Sequence, residues 1–530
     1  MIDRRRRRGP GARRPLWYQR CMPDPSPTPA PAGDPVRRRA LLLAGAAPWL
    51  ARHSRAADLP RFELGVASGH PRPDGMVLWT RLTGPDLPAR VEVQWEVGGD
   101  EAMRQVMARG SQWAQAEWAH SVHAEPAGLA AGRPYWYRFR ALGQQSATGR
   151  TRTAPAPDAE STLRLVLASC QRWDHGHWAA WRHAVSTDPE LVLFVGDYIY
   201  EYPSPPFALR RHEGGMARTL AQYRRRHEQY RSDPALQAAH AAAPWIMVWD
   251  DHEIENDYAG DRSPTLDGAD FQAVRSAAAQ AYWEHLPLPL AVRPQQGVMR
   301  MHGRLDWGRL ARLHWLDDRQ YRDLQACPPP LRLAGSAIVD PQRCPSIADP
   351  GRSLLGEDQE RWLAEGWDLE RRWNLLAQQT LLSPLRTAEG RVWTDGWDGY
   401  PAARLRLLQA VAQRQVPGVV VLGGDRHAHF VSDVHERPED ARSPRLASEF
   451  CGTSISSLGP RQDRLDAALA HNPHLLHARG DRRGFVALEL GRDRLQARLM
   501  AVDNALDPAS TMHEQARFIV DPRRPGPQRA

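Results

Sequence analysis

Four apolar runs in this chain each end on a block of chemistry-bearing residues, and no other feature constrains the fold as much. Leu163–Ala168 leads into Ser169-Cys170-Gln171, and Leu191–Val195 into Gly196-Asp197-Tyr198-Ile199-Tyr200. Trp245-Ile246-Met247-Val248-Trp249 leads into Asp250-Asp251-His252-Glu253, and Val419-Val420-Val421-Leu422 into Gly423-Gly424-Asp425-Arg426-His427-Ala428-His429. A fifth run, Leu313–Leu316, meets Asp317-Asp318-Arg319. In layered α/β folds the carboxyl ends of the strands line the crevice where ligands bind. Here those ends would bring a thiol, several carboxylates, a phenol and imidazoles together, and so many anions repel unless cations sit among them. Hard oxygen donors mixed with histidine and a thiolate point to two different metals rather than a matched pair.

Each block has a plain structural explanation when taken alone. A lone cysteine after a strand is usually core, and Gly-Asp is often only a turn. Four ionisable residues in succession after a buried strand are harder to explain that way, because burying them without partners is costly. Four such blocks in order make coincidence a poor account.

The 530 residues exceed a single core, so more than one domain is expected. Between Arg61 and Arg152 the pattern is short alternating strands and turns, as in Val91–Val97, Gly98-Gly99 and Tyr135–Arg140, which predicts a small β-sandwich over 60–153. Thr153–Pro157 reads as a linker. From 161 to 505 apolar strands alternate with helix-like segments, Phe271–Glu284, Asp358–Thr380 and Arg404–Arg414, which predicts an α/β layered domain. Residues 506–530 read as a C-terminal tail. The Arg-rich stretch from Ser204 to Pro234 reads as a solvated segment, with a lid as the alternative.

Charge sharpens the picture. The net charge is +8, and all 70 basic residues are arginine. Residues 1–57 hold 13 Arg against Asp3, Asp24 and Asp34, a charge of +10, which leaves about −2 for the rest. A nucleic-acid partner is therefore not expected. Within that leader, Arg37-Arg38-Arg39 precedes the apolar stretch Ala40–Leu50, with small residues at Ser54, Ala56 and Ala57. This predicts a removable export signal of the twin-arginine kind, with the twin-arginine machinery as a partner and a periplasmic or secreted location. No apolar run reaches the ~18 residues a membrane helix needs. Cys327 and Cys344 bracket a Pro- and Gly-rich loop and are a plausible disulfide, whereas Cys451 reads as a buried small hydrophobe.

The ordered blocks resemble the calcineurin-type metallophosphatase plan. The variant with Ser-Cys first, then Gly-Asp-Tyr-Ile-Tyr, Trp-Asp-Asp-His-Glu and Gly-Gly-Asp-Arg-His, is similar to the PhoD-type alkaline phosphatases and phosphodiesterases. Gly65–Gly69, Val77–Leu82, Asp318–Arg322, Gly452–Ser457 and Asn472-Pro473-His474 extend the resemblance over roughly residues 60–505. It implies that Cys170, Asp197 and Tyr200 bind a ferric ion and that Asp197 bridges to calcium, of which there would be one or two. It further implies that Asp251, Asp425 and His427 are ligands, with Asp250 and Asn256 weaker candidates and His429 behind them. His252 is the expected contact to phosphoryl oxygens or the leaving group, and Arg319 a phosphate clamp.

The activity implied is metal-dependent hydrolysis of phosphomonoesters, phosphodiesters or both by an activated hydroxide. The substrates would be small phosphate esters or phospholipid or polymer diesters. A phospholipase-D-like diesterase is the near alternative. A catalytically silent surface binding protein, with the sandwich gripping a polymer, is the distant one. A sandwich packed beside the crevice as a structural element is the preferred role for the first domain.

Overall fold

The computed structural model describes residues 61–330, 332, 334–437, 440 and 442–530, so the leader expected over 1–57 lies outside the described residues. Two sheets form the centre. In the ten-stranded sheet, Leu163–Ala168, Leu191–Val195 and Pro244–Val248 run parallel and adjacent. In the seven-stranded sheet, Ala311–Trp315, Trp373–Ala377, Val419–Gly423 and Arg445–Cys451 run parallel.

Side-chain alternation builds the layers. Leu163, Leu165 and Leu167, with Leu191, Leu193 and Val195, face Leu313, Leu375, Val420 and Leu422 of the other sheet in one core. Val166, Ala168, Val192 and Phe194 point the opposite way, onto a second core with the Ala179–Ser186, Pro234–Ala242 and Gly268–His285 helices. The outer face of the seven-stranded sheet is covered by Glu357–Gly366 and Pro401–Gln413. Strands buried on both faces have to be apolar throughout, and each fully buried Leu or Val contributes roughly 1.5–3 kcal/mol. The α/β layering read from the sequence is the observed one.

The N-terminal sandwich has a core of Val66, Leu78, Val93, Tyr137 and Phe139 between two sheets. One of these sheets is not its own. Val66–Arg72 pairs in parallel with the start of Pro244–Val248, with Ser68 opposite Pro244, so three sandwich strands extend the ten-stranded sheet. The Thr153–Pro157 stretch therefore marks a change of texture but not a break in hydrogen bonding.

Three other expectations are corrected. The segment 506–530 is no tail: Met512–Asp521 and Arg524–Arg529 are strands at the edge of the ten-stranded sheet, with Ala516, Phe518 and Val520 buried against it. The helix expected over Asp358–Thr380 stops at Gly366, and Trp373–Ala377 is a fully buried strand. The Arg-rich stretch is not a solvated loop either. Thr219 and Gln222 form a reciprocal capping box on the Leu220–Arg231 helix, and Arg226 and Arg231 are buried. Cys327 and Cys344 are joined in a disulfide, and Cys170 and Cys451 are free and buried.

Candidate metal centre and active site

The carboxyl ends of parallel strands from both sheets come together, and there the expected residues meet. Cys170, Asp197 and His427 have ligand atoms within 4.8 Å of one another, and so do Asp197, Asp251 and His252. Asp197 belongs to both groups. Tyr200 donates its hydroxyl to Asp197 Oδ2 at 2.7 Å, and its oxygen lies 3.4 Å from His427 Nε2. Asp425 accepts from Thr380 Oγ1 at 3.1 Å.

The backbone is bent to achieve this. Cys170, Asp197, Asp425 and His427 have φ of 59°, 59°, 58° and 53°, a left-handed conformation that costs a non-glycine residue about 1 kcal/mol or more. Cross-links hold the strained turns: Cys170 N–H donates to Gly196 O at 3.0 Å and Gln171 N–H to Asp197 O at 3.1 Å. Gly196, at φ 102°, allows a close approach, since a Cβ there would meet Asp250 Cβ at 2.4 Å.

The electrostatics are those of a pocket suited to cations. Burial and the nearby Asp197 carboxylate push the Cys170 thiol and the Tyr200 phenol well above their ordinary values. Burial also raises Asp425 to about 7, with Asp251 and Asp197 adding repulsion against the pull of Arg319 and Arg426. Burial works against Asp197 too, yet His252, His427 and Tyr200 draw it down to about 2. Asp197 Oδ1 and Asp250 Oδ2 are buried with no hydrogen-bond partner. Carboxylate oxygens left unpaired beside a thiol and a phenol form a donor set that fits a multivalent cation.

Two residues to which the sequence reading gave no role, Glu253 and Glu201, hold this set in place. Glu253 accepts the backbone N–H groups of Asp197 at 3.1 Å and Asp250 at 2.9 Å, and that of Tyr198 as well. Glu201, 1% exposed, accepts from His252 Nδ1 at 2.8 Å and from Asn256 N–H at 2.9 Å. Asn256 thus enters through its backbone. Nothing local announces Glu201, because its partner lies 51 residues away. His429 is used structurally: Nδ1 accepts from Thr453 N–H at 3.2 Å and Nε2 lies 3.3 Å from Met500 O.

Arg319 also differs from expectation. Its guanidinium is 2% exposed, donates from Nε to Asp250 and from Nη1 to Asp395 at 2.7 Å, and lies 3.7 Å from Asp251. The fork expected to grip phosphate is occupied by the protein's own carboxylates.

Two sheets flanked by helices define a metallophosphatase-type fold, with a mixed thiol, carboxylate, phenol and imidazole cluster at the strand ends as its candidate metal site. Comparison with known proteins identifies the branch. The model of the PhoD-like phosphatase family matches residues 165–499, and that of the PhoD-like phosphatase N-terminal domain matches residues 46–155. The chain is 38% identical over 482 residues to alkaline phosphatase D of Bacillus subtilis (strain 168), covering 86% of this chain and 80% of the relative. It superposes on the solved structure of PhoD with a TM-score of 0.84 at 36% identity, covering 91% of this chain and 93% of that one. A purple acid phosphatase from yellow lupin (Lupinus luteus) seeds shares the fold, with a TM-score of 0.54 at 13% identity over 86% of this chain and 74% of that one. The chain belongs to the PhoD-like phosphatase family and is a phosphoesterase.

Among the described residues no helix is long and apolar enough to cross a membrane.

Proposed function

We propose that this protein is an exported phosphoesterase that works with a ferric ion and calcium, hydrolysing phosphomonoesters, phosphodiesters or both. The observation that carries the reading is the shared Asp197, which belongs to two ligand groups at the convergent strand ends. Cys170, Asp197, Tyr200 and His427 would hold the iron, since thiolate and phenolate are strong donors to Fe(III). Asp197, Asp251 and Asp425 would hold the calcium side, where oxygen donors predominate. Bound cations would supply activation of the attacking water and neutralisation of charge on the phosphoryl group.

The chain's own residues supply position and proton control. Glu201 fixes the His252 ring through Nδ1, which leaves Nε2 as the ring's remaining polar atom for a phosphoryl oxygen or the leaving group. Glu253 pins the Asp197 turn, and Arg319 keeps Asp250 and Asp251 in register. The leader's arginine pair supports twin-arginine export to the periplasm or beyond, a route that carries folded and metal-loaded proteins.

The test is elemental analysis of protein exported with its own leader, followed by hydrolysis of a simple phosphomonoester against the matching diester. Iron at about one equivalent together with calcium supports the ligand assignment. Zinc or manganese in pairs keeps the phosphoesterase and discards that assignment. The mono-to-diester ratio then separates the phosphatase reading from the phospholipase-D-like one.

Glu201→Gln gives a second test. Gln offers one acceptor where the carboxylate offers two, so either His252 or the Asn256 N–H loses its partner. The expected result is a fall in kcat of about 10–100-fold, the usual cost of losing an orienting partner in a metal site, with KM and bound metal little changed. An unchanged kcat would remove Glu201 from the mechanism.

A further inference from the structure

A loop closed by a disulfide bears on the oxygen-rich side of the metal centre. Cys327 and Cys344, 17 residues apart, are joined; Ser336 lies inside the loop they close and Gln325 just before it. Ser336 donates twice to Asp257 Oδ2, from its N–H at 3.0 Å and from its hydroxyl at 2.7 Å. Gln325, 2% exposed, donates from Nε2 to Asp257 O at 2.7 Å and to Asp395 Oδ1 at 2.9 Å. Its Oε1 accepts from Gly335 N–H at 3.1 Å, which ties it to the loop. Asp257 is thereby gripped at its side chain and at its carbonyl.

Asp257 passes that grip to a residue of the proposed calcium side. Its backbone is left-handed, with φ of 60°, and its N–H donates to Asp251 Oδ2 at 2.7 Å. Oxygens of Asp251, Asp257 and Asp395 lie within 4.8 Å of one another, so the three carboxylates repel and have to be held. Arg319 and Arg322 hold Asp395, and the loop holds Asp257. The loop's own footing is slight. It rests on a cluster of Ala326, Cys344, Ile347 and Val392, with Cys327 and Val339 partly buried against it. Its strand pairing, Ile338–Val339 with Val392–Trp393, is two residues long. A footing that small makes the covalent cross-link, which limits the freedom of the open chain, the main restraint on the loop. The iron-side residues are tied elsewhere, Cys170 and Tyr200 to Ser457 and His427 to the Leu458 carbonyl.

We propose that the Cys327–Cys344 disulfide is a latch that positions Asp251 for calcium through Ser336, Gln325 and Asp257. With the latch open the loop lifts, Asp257 loses its donors, and its N–H no longer fixes Asp251. The calcium side then loosens while the iron side keeps its ligands. Ser336 and Gln325 act as positioning residues, and the inference rests on the proposed calcium assignment. Closing the latch joins the two sulfurs and releases two protons and two electrons, which a disulfide-bearing oxidant accepts as it becomes a dithiol. A reducing cytoplasm leaves the thiols unjoined and an oxidising compartment joins them. A chain exported folded with its iron therefore gains full calcium affinity only outside.

The test compares the oxidised, iron-loaded protein with its Cys327→Ser/Cys344→Ser double variant. Calcium titrated alone in a calorimeter should bind the variant about 10–100-fold more weakly, the usual cost of losing an outer partner in a metal site, with iron content unchanged. Hydrogen–deuterium exchange in the absence of calcium should be faster both at 334–338 and at 251–258, since the Asp257 N–H loses its fixed acceptor. Ser336→Ala with the disulfide intact removes one donor to Asp257 and should weaken calcium in the same direction; it decides the matter if the double variant does not fold. Loosening confined to the loop, or calcium binding indifferent to both changes, overturns the latch. Wild-type protein that binds no calcium would discard the calcium assignment instead, and faster exchange at 251–258 in the double variant would still show the disulfide holding Asp251.

Discussion

Asp197→Asn is expected to abolish turnover and to strip metal from the protein in the same step. The substitution conserves shape but removes the one carboxylate common to the Cys170–His427 group and the Asp251–His252 group. An amide oxygen is a neutral, weaker donor, and its NH2 group would turn a hydrogen toward one of the cations. The Tyr200 hydroxyl, which now donates to Oδ2, would face either a poorer acceptor or a competing donor. The loss should therefore exceed the roughly 10²–10³-fold cost of removing a single transition-state hydrogen-bond donor. Metal content and turnover measured on the same sample decide the matter. If the variant keeps both, Asp197 does not bridge; if it keeps metal but loses turnover, its part is in orienting substrate rather than holding ions.

The convergence at Asp197 was legible because a two-sided buried strand announces itself as a short apolar run, and the residue after it must lie at the sheet's edge. Cys170, Asp197, Asp251 and Asp425 all follow such runs, and the structure brings the carboxyl ends of strands from both sheets together. What stayed hidden was mostly pairing at long range. The parallel contact of Ser68 with Pro244 has no local signature, so the sandwich looked self-contained. Trp373–Ala377 continues an apolar pattern from the preceding helix with no Pro between them, and a buried strand and a buried helix then look alike. The strand at Met512–Asp521 was readable and missed: Ala516, Phe518 and Val520 alternate inward, but their polar neighbours gave the stretch the look of a tail. Arg226 and Arg231 were hidden in plain charge count, since sequence gives the identity of an arginine and not whether water reaches it.

Arg319 shows the same limit at the active site, and its replacement is expected to have the largest effect on stability. Arg319→Met leaves Asp250 and Asp395, each about 1% exposed at the side chain, without the cation they share. Burial already raises Asp250 well above the carboxylate range in spite of Arg319. Asp395 is held well below that range, against burial, by Arg319 and Arg322 together. Breaking a buried charge network by removing one partner costs about 3–5 kcal/mol, because the remaining charges stay dehydrated. Arg319→Lys should recover little, since one ammonium on a flexible stem does not reproduce a planar fork spanning two carboxylates. The measurement is the denaturant midpoint of the metal-loaded variants beside their steady-state kinetics. A large drop in midpoint, with activity falling as the folded and metal-loaded fraction falls, is the expected result. A normal midpoint with KM alone raised would restore Arg319 to the role the sequence suggested, a hand on the substrate's phosphate, and would require the carboxylates around it to be neutralised by metal instead.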